Sequence, residues 1–423
     1  MVGLEADIYS AEQQSSEESL DELAALLETA GGVACGRLLQ KRHSPDPHSF
    51  IGTGKVAELK DLMQAENCTL ALFDNELSPS QMRALSSELS ARVEDRSGLI
   101  LDIFGQRAAT REGRLQVQLA QYKYTLPRLT GMWTHLDRET SSGSSPLGSR
   151  GTGETQLESD RRIIRRKIDR LEAELKEVRR ARATQRSLRQ RMGVPVAALV
   201  GYTNAGKSTL LNALTGAGIP ARDRLFDTLD TTTRRMTLDS GREILLSDTV
   251  GFIRKLPHHL VEAFKATLEE LAYADLIVQV VDVSHPEWRD QAQVAESLIQ
   301  ELARPETPRL TVYNKADLLT SGEDLPEGKD ILLVSAATGE GLEELKARMG
   351  AKLTQDRRRM ELLLPYDQGG LLEKLHRRGR VLAAEYEEGG VRVSADAPRE
   401  MWERLAPFEL VPDAPEEDGP SDL

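Results

Sequence analysis

The residues with the clearest chemical signature form a phosphate-binding loop near the middle of the chain. Apolar residues 196–200 run directly into GYTNAGKS at 201–208, and a helical pattern follows. This is the GxxxxGK[ST] motif in its strand–loop–helix context. Glycines let backbone N–H groups surround phosphate oxygens, Lys207 would reach the outer phosphates, and the Ser208 hydroxyl would bind Mg²⁺. The predicted phosphate site comprises Gly201, Tyr202, Thr203, Asn204, Ala205, Gly206, Lys207 and Ser208.

A second motif would complete the magnesium and terminal-phosphate side of this site. Residues 244–251 read ILLSDTVG, an apolar strand that ends in DxxG. The Asp248 carboxylate suits a water molecule bound to Mg²⁺, and the Gly251 amide suits the terminal phosphate. Asp-x-x-Gly turns are common, so this motif gains its weight from the phosphate loop before it. The residues predicted here are Asp248, Thr249, Val250 and Gly251.

Two later segments predict that the base is guanine. Residues 310–317 read LTVYNKAD, a strand ending in NKxD, and residues 331–336 read ILLVSA, a strand followed by small residues. The Asp317 carboxylate can accept two hydrogen bonds from guanine, whereas adenine would leave it unpaired at a cost of about 1–3 kcal/mol. This argues against an ATPase. The residues predicted around the base are Asn314, Lys315, Ala316, Asp317, Ser335 and Ala336.

The threonine-rich segment 224–234 lies where a switch threonine would close on Mg²⁺ and the terminal phosphate. Spacing does not choose among Thr228, Thr231, Thr232 and Thr233. An edge strand rich in threonine would explain most of them equally well.

The residue after DxxG bears on the rate of hydrolysis. It is Phe252, where many GTPases carry a glutamine that orients water. A phenyl ring cannot orient water by hydrogen bonding, so the sequence predicts slow intrinsic hydrolysis and assigns no catalytic base. Asn204 either shapes the loop backbone or helps to bind a monovalent cation.

The chain that must position these residues is predicted to divide into five segments. Alternating strand and helix patterns over residues 196–353 predict a doubly wound α/β sheet. The predicted boundaries are 1–98 (an α/β unit), 99–192 (a basic helical segment), 193–355 (the GTPase domain), 356–410 (a small α/β domain) and 411–423 (an acidic, disordered tail).

Local signals predict the first two segments in more detail. Ser19 with Glu22 resembles a capping box for a helix to about residue 30, and residues 33–39 and 70–73 are predicted strands. Residues 52–64 are predicted to be a glycine-led loop running into a helix, and another helix is predicted from Pro79. Residues 99–124 are predicted to be one helix. Residues 155–191 are predicted to form a long helix that packs antiparallel on the preceding one through an apolar seam. The seam residues are Ile164, Ile168, Leu171, Leu175 and Val178.

Charge is distributed unevenly along the chain. The net charge is −13, yet residues 106–191 carry 20 Lys and Arg against 10 Asp and Glu, and the remainder therefore carries −23. A basic middle between acidic ends suits a polyanion, although a solvated helix rich in arginine explains it equally well. The glycine-rich stretch 143–153 is either a linker or an ordered loop that meets a partner. With two cysteines, no signal-peptide pattern and no apolar run long enough to span a bilayer, we expect a cytoplasmic protein. We also expect a monomer, although none of these features bears on the oligomeric state.

Several short sequence segments outside the generic GTPase motifs resemble those of the HflX family of ribosome-associated GTPases. They are IGTGK at 51–55, DNELSPSQ at 74–81, DRSGLILDIF at 95–104, EGRLQVQ at 112–118, YTLPRL at 124–129 and RGTGETQLE at 150–158. GYTNAGKS and DTVGF also resemble the family's forms. The family's switch pattern carries over to Phe226, Asp227, Thr228, Leu229 and Asp230, which favours Thr228 as a magnesium ligand, although Thr231 stands where the family commonly has Pro.

The resemblance implies a GTPase, stimulated by the ribosome, that binds the large ribosomal subunit and its RNA. In bacteria the family dissociates stalled ribosomes under stress. A regulatory GTPase switch that acts on a protein partner is the alternative.

Overall fold

The fold is given by a computed structural model. It describes residues 1–10, 14–131, 150–191, 194–218, 225–226, 228–229, 231–239, 241–255, 270–319, 328, 330–355 and 357–410. Asp227, Asp230, residues 143–149 of the glycine-rich stretch and the predicted tail 411–423 lie outside these residues.

The first unit is a parallel sheet of four strands in the order β2-β1-β3-β4. Its strands are β1 (Val2–Ala6), β2 (Leu38–Arg42), β3 (Leu70–Phe73) and β4 (Arg92–Asp95). The connecting helices are α1 (Glu17–Thr29), α2 (Thr53–Ala65) and α3 (Pro79–Leu89). The helix predicted from Pro79 is confirmed, and a capping box between Ser78 and Gln81 begins it.

Two local predictions in this unit were wrong. Helix α1 is capped by Ser16, whose side chain accepts a hydrogen bond from the Ser19 amide, so Ser19 and Glu22 form no capping box. Ser19 is instead buried and donates to Asp74 at 2.5 Å. The second strand begins at Leu38 rather than residue 33, because its register is set by pairing with β1, and Val33 is 83% exposed.

The next unit is helical. Residues predicted as one helix form two, α4 (Arg96–Arg107) and α5 (Arg111–Thr125), because Ala108 is extended and Thr110 caps a new helix. Helix α6 (Arg150–Arg191) begins five residues before the predicted start at 155.

The predicted antiparallel helix pair is present. Leu171 and Leu175 of α6 are buried against Leu115 and Leu119 of α5. The polar contacts between the two helices show that they are antiparallel. Arg182, late in α6, pairs with Glu112 at the start of α5 at 2.7 Å, whereas the earlier Lys167 donates to Tyr122 near the end of α5 at 3.3 Å.

The third unit contains a six-stranded sheet in the order β10-β9-β8-β5-β7-β6, parallel except for β6. Its strands are β5 (Val196–Gly201), β6 (Thr232–Thr237), β7 (Glu243–Asp248), β8 (Leu276–Asp282), β9 (Arg309–Asn314) and β10 (Ile331–Leu333). Its helices include α7 (Lys207–Thr215), α8 (Trp288–Leu302) and α9 (Leu342–Gln355). The predicted doubly wound α/β fold is therefore confirmed.

A small antiparallel sheet follows, in the order β11-β13-β12. It consists of β11 (Arg357–Leu364), β12 (Arg380–Glu387) and β13 (Gly390–Pro398), with helices α10 (Gly369–Arg378) and α11 (Arg399–Leu405). Across the described ranges, no helix is both long and apolar enough to cross a membrane.

One hydrophobic core joins the N-terminal units to the GTPase unit. Leu20 of α1 and Phe104 of α4 belong to the same buried cluster as Tyr202, Phe226 and Phe252. The Phe104 and Phe226 rings meet edge to face, with centroids 4.7 Å apart. The N-terminal helices are therefore packed directly against the loops that carry the predicted nucleotide site.

Candidate nucleotide-binding site

The predicted motifs meet at one edge of the six-stranded sheet. GYTNAGKS follows β5, Asp248 ends β7, Asn314 ends β9, and Ser335 and Ala336 follow β10. Because β5, β7, β9 and β10 run parallel, their carboxyl ends lie together, where open α/β sheets bind ligands.

Two glycines give the phosphate loop its shape. Gly201 has φ +157° and Gly206 has φ +86°, in the region that favours glycine. A Cβ on Gly201 would lie 2.1 Å from the Val280 carbonyl oxygen, and one on Gly206 would lie 2.2 Å from the Asn314 amide nitrogen. The loop can therefore approach its neighbours this closely only with glycine at both positions.

Lys207 lies across this loop. Its ammonium group donates to the carbonyl oxygens of Gly201 at 3.2 Å and Tyr202 at 2.7 Å. Burial lowers the pKa of Lys207 to about 8, against an opposing effect of Asp248. A phosphate group would stabilise the charged lysine and repay this desolvation.

Oxygen-bearing side chains gather beside Lys207. The Ser208 hydroxyl donates to Asp248 at 2.6 Å and lies 2.7 Å from the Thr228 hydroxyl. Asp248 is buried, which raises its pKa, and its Oδ1 atom has no hydrogen-bond partner among the described residues. Two hydroxyls and a carboxylate with an unpaired oxygen suit a hard cation such as Mg²⁺.

The four candidate switch threonines occupy different places. Thr228 lies at the Ser208 hydroxyl, whereas Thr232 and Thr233 belong to β6, with Thr233 beside Ser247. Thr231 precedes that strand. Thr228 is therefore the threonine that the fold brings to the candidate magnesium position.

The candidate base site is built around Asn314 and Asp317. The Asn314 amide donates to the Ala205 carbonyl at 2.9 Å, and its oxygen accepts from the Ala336 amide at 3.0 Å. Asn314 thus ties the phosphate loop to the segment after β10. The Ser335 hydroxyl donates to Asp317 at 2.5 Å and orients its carboxylate.

Asp282 is a residue near the candidate base site that was not predicted. It pairs at 2.6 Å with the predicted residue Lys315, whose φ is +65°. Asp282 ends the buried strand β8, and this position at the carboxyl end of an apolar strand is a signal that could have identified it.

Phe252 lies inside the protein. It is 1% exposed, its carbonyl accepts from the Thr203 amide at 2.7 Å, and its amide donates to the Gly201 carbonyl at 3.0 Å. Its backbone therefore joins the DxxG segment to the phosphate loop, while its ring packs in the shared core.

A buried polar network, missed by sequence reasoning, connects the site to the N-terminal units. We call Glu22, Asp74, Arg96, Tyr202 and Lys255 the interdomain network. The Tyr202 hydroxyl donates to Glu22, Arg96 pairs with Glu22 and with Asp74, and Lys255 pairs with Asp74.

The network is electrostatically matched. Burial favours a protonated Asp74, yet Arg96 and Lys255 outweigh it and lower the pKa of that carboxyl. The backbone amide of Arg254 also donates to the Tyr202 hydroxyl at 2.7 Å. Tyr202 lies in the phosphate loop, and Arg254 and Lys255 follow DxxG closely, so two segments of the candidate nucleotide site are bonded to the N-terminal unit.

We expect Ser208→Ala to raise the Mg²⁺ concentration needed for hydrolysis by about 10–100-fold, the value of one lost interaction with a charged partner. Titration of hydrolysis with MgCl₂ measures this. Thr209→Ala, which removes the exposed neighbouring hydroxyl, is the matched control and should leave the titration unchanged. Equal Mg²⁺ requirements for both variants would contradict the assignment of Ser208.

Three family models match successive parts of the chain. The model described as "GTP-binding GTPase N-terminal" matches residues 17–105, "GTP-binding GTPase Middle Region" matches 107–189, and "50S ribosome-binding GTPase" matches 196–315. A GDP complex of a GTP-binding protein from Sulfolobus solfataricus is 24% identical, with a TM-score of 0.42 over 84% of this chain and 98% of that one.

Relatives named GTPase HflX match most of the chain. The protein from Lacrimispora saccharolytica is 44% identical, covering 94% of each chain. The relative from Caldanaerobacter subterraneus subsp. tengcongensis is 45% identical over 93% of this chain and 90% of its own. That from Escherichia coli is 40% identical over 93% of both. With the site described above, these matches show that the chain is a GTP-hydrolysing P-loop protein and belongs to the HflX family of GTPases.

Proposed function

We propose that this GTPase is a cytoplasmic factor that binds the RNA of the large ribosomal subunit and dissociates stalled ribosomes in a nucleotide-dependent way. Magnesium, held by Ser208 and Thr228 with Asp248 nearby, would neutralise phosphate charge when bound. The observation that carries the proposal is a basic helix placed on the domain that contacts the nucleotide loops.

The basic surface lies on α6. Arg162, Arg165, Arg166, Lys167 and Arg170 are exposed along it. Some of these charges are moderated locally, since Arg170 pairs with Glu174 at 2.9 Å and Arg165 lies 3.8 Å from Glu158. These exposed basic residues of α6 would bind a phosphate backbone with strong dependence on salt.

Nucleotide state would reach this surface through the shared core. Thr228 and Gly251 are the groups expected to meet Mg²⁺ and the terminal phosphate. Phe226, two residues before Thr228, packs on Phe104 of α4, and Lys255, four residues after Gly251, pairs with Asp74. Ordering of these segments by GTP would therefore favour one placement of the helical unit over another.

Slow intrinsic hydrolysis would suit a factor that hydrolyses GTP mainly when it is bound to its target. The buried Phe252 ring supplies no group that orients water, so we expect slow intrinsic hydrolysis that the ribosome stimulates.

We expect the double variant Arg162→Ala/Arg166→Ala to weaken binding to purified large subunits and to reduce its salt dependence. Loss of two phosphate contacts should lower the slope of log K against log salt by about 2. Binding measured across several KCl concentrations tests this. Lys346→Ala/Arg348→Ala on α9, whose charges pair with Glu343 and Glu344, is the matched control.

A regulatory switch that acts on a protein partner is the second candidate. It is favoured by the exposed side chains of Tyr366 and Tyr386 on the small C-terminal domain. Unchanged salt dependence in the α6 double variant, with an intact nucleotide cycle, would support this alternative against the ribosomal one.

A further inference from the structure

We propose that the Thr203 hydroxyl is a catalytic residue for GTP hydrolysis, donating a hydrogen bond to a non-bridging oxygen of the terminal phosphate. Thr203 is the third residue of the phosphate loop GYTNAGKS. The proposal concerns the hydrolytic step alone, and it holds whether or not the ribosome is the partner.

The first observation is a hydroxyl without a partner. Thr203 is only 5% exposed, and its Oγ1 atom is buried with no hydrogen-bond partner among the described residues. Buried polar atoms of native proteins are nearly always paired, so an unpaired one at a binding loop calls for an explanation. A ligand oxygen would supply the missing partner.

The second observation is the position of Thr203 among groups that bind the terminal phosphate. A Cβ added to Gly251 would lie 2.9 Å from Thr203 Cγ2 and 3.0 Å from the Lys207 ammonium nitrogen. The Thr203 side chain therefore borders the same small space as Gly251 and Lys207, the expected ligands of the terminal phosphate. Its Cγ2 methyl faces that space in the structure, and rotation about χ1 would bring the hydroxyl there when a phosphate oxygen is bound.

The third observation is that Thr203 is held in place by the segment that lacks a water-orienting side chain. Its amide donates to the Phe252 carbonyl at 2.7 Å, and Phe252 is locked into the core. A donor on a fixed backbone needs no reorganisation when charge develops, which is the condition for effective electrostatic catalysis. Thr203 is thus a polar residue hydrogen-bonded through its backbone to Phe252, the residue whose side chain cannot orient water.

The reaction balances without proton loss from threonine. The water oxygen forms a bond to the terminal phosphorus, and the bond from phosphorus to the bridging oxygen breaks with its electron pair going to GDP. One water proton stays on the attacking oxygen and the other moves to a phosphate oxygen, so both end on inorganic phosphate. Thr203 keeps its proton throughout. Its hydrogen bond stabilises the negative charge that is spread over the equatorial phosphate oxygens in the transition state.

The test is single-turnover hydrolysis of GTP by the full chain, with two substitutions. Thr203→Val keeps the branched shape that packs on Gly251 and removes the hydroxyl, whereas Thr203→Ser keeps the hydroxyl and removes the methyl. We expect Thr203→Val to slow hydrolysis about 10–100-fold, and Thr203→Ser to stay within about threefold of the parent. Affinity for GDP should change less than about twofold in both variants.

A second readout separates catalysis from folding. GDP with aluminium fluoride mimics the transferring phosphoryl group, and Thr203→Val should weaken formation of that complex without weakening GDP binding. Parental hydrolysis by Thr203→Val would overturn the proposal. So would equal slowing in Thr203→Val and Thr203→Ser, which would assign the effect to packing, or loss of GDP binding in both.

Discussion

Replacing Asp317 by asparagine should change the base preference from guanine to xanthine. In the structure one oxygen of this carboxylate accepts a hydrogen bond from Ser335, which fixes the side chain at the edge of the candidate base site. Guanine offers two N–H donors to a carboxylate. Xanthine carries a carbonyl in place of the amino group, and the asparagine amide can donate to it.

The effect should be large because the group involved is charged and its partners are desolvated. We expect GTP affinity to fall about 100-fold or more, and xanthosine triphosphate to bind in its place. Competition between the two triphosphates for a fluorescent nucleotide measures the change. Asp330→Asn, which alters an exposed acid that pairs with Lys352 at 2.7 Å, is the control. A variant that still prefers GTP would refute the role of Asp317.

Removing the Arg96 guanidinium should destabilise the N-terminal sheet and loosen its contact with the GTPase unit. Arg96 is 1% exposed and pairs with Asp74 at 2.7 Å and with Glu22. Arg96→Met would leave two acids, one of them fully buried, with Lys255 as the remaining cation. Breaking a buried pair in this way costs about 3–5 kcal/mol.

Hydrogen exchange of the β3 amides, followed by mass spectrometry, measures the loss of stability in the strand next to Asp74. Arg92→Met is the matched control, because Arg92 is exposed where it pairs with the half-buried Glu94 at 2.8 Å, and ion pairs of exposed side chains contribute about 0–1 kcal/mol. Equal protection of β3 in the two variants would show that the interdomain network does not stabilise this sheet.

The nucleotide site was predictable because each of its motifs is a short sequence next to a strand. The topology of a doubly wound sheet then brings these motifs together at one edge. Spacing did not choose among the threonines, because that choice depends on where the segment after α7 returns to the sheet. The fold decides it by placing Thr228 within 2.7 Å of Ser208.

The contacts between units could not be predicted in the same way. Glu22 was assigned to a capping box, whereas its carboxylate accepts from Tyr202, 180 residues away. Within the N-terminal unit, Ser19 and Asp74 similarly meet across 55 residues. Such pairings depend on how residues far apart in the sequence come together in the fold, and no short pattern records that.

Local backbone signals explain the smaller errors. The break between α4 and α5 comes from Thr110, whose side chain caps a new helix by accepting from the Gly113 amide at 3.0 Å. The apolar periodicity on both sides continues through this break, so it predicted one helix. The unforeseen strand β1 is short and gains its stability from pairing with β2 and β3.

Co-sedimentation with purified ribosomes is the most direct test of nucleotide-dependent binding to the large ribosomal subunit. The chain should be compared with a non-hydrolysable GTP analogue, with GDP and without nucleotide, each at low and high salt. We expect pelleting with the large subunit that is strongest with the analogue and weaker at high salt. A protein that binds the analogue yet stays in the supernatant under every condition would contradict the ribosomal role, while its assignment as a GTPase would stand.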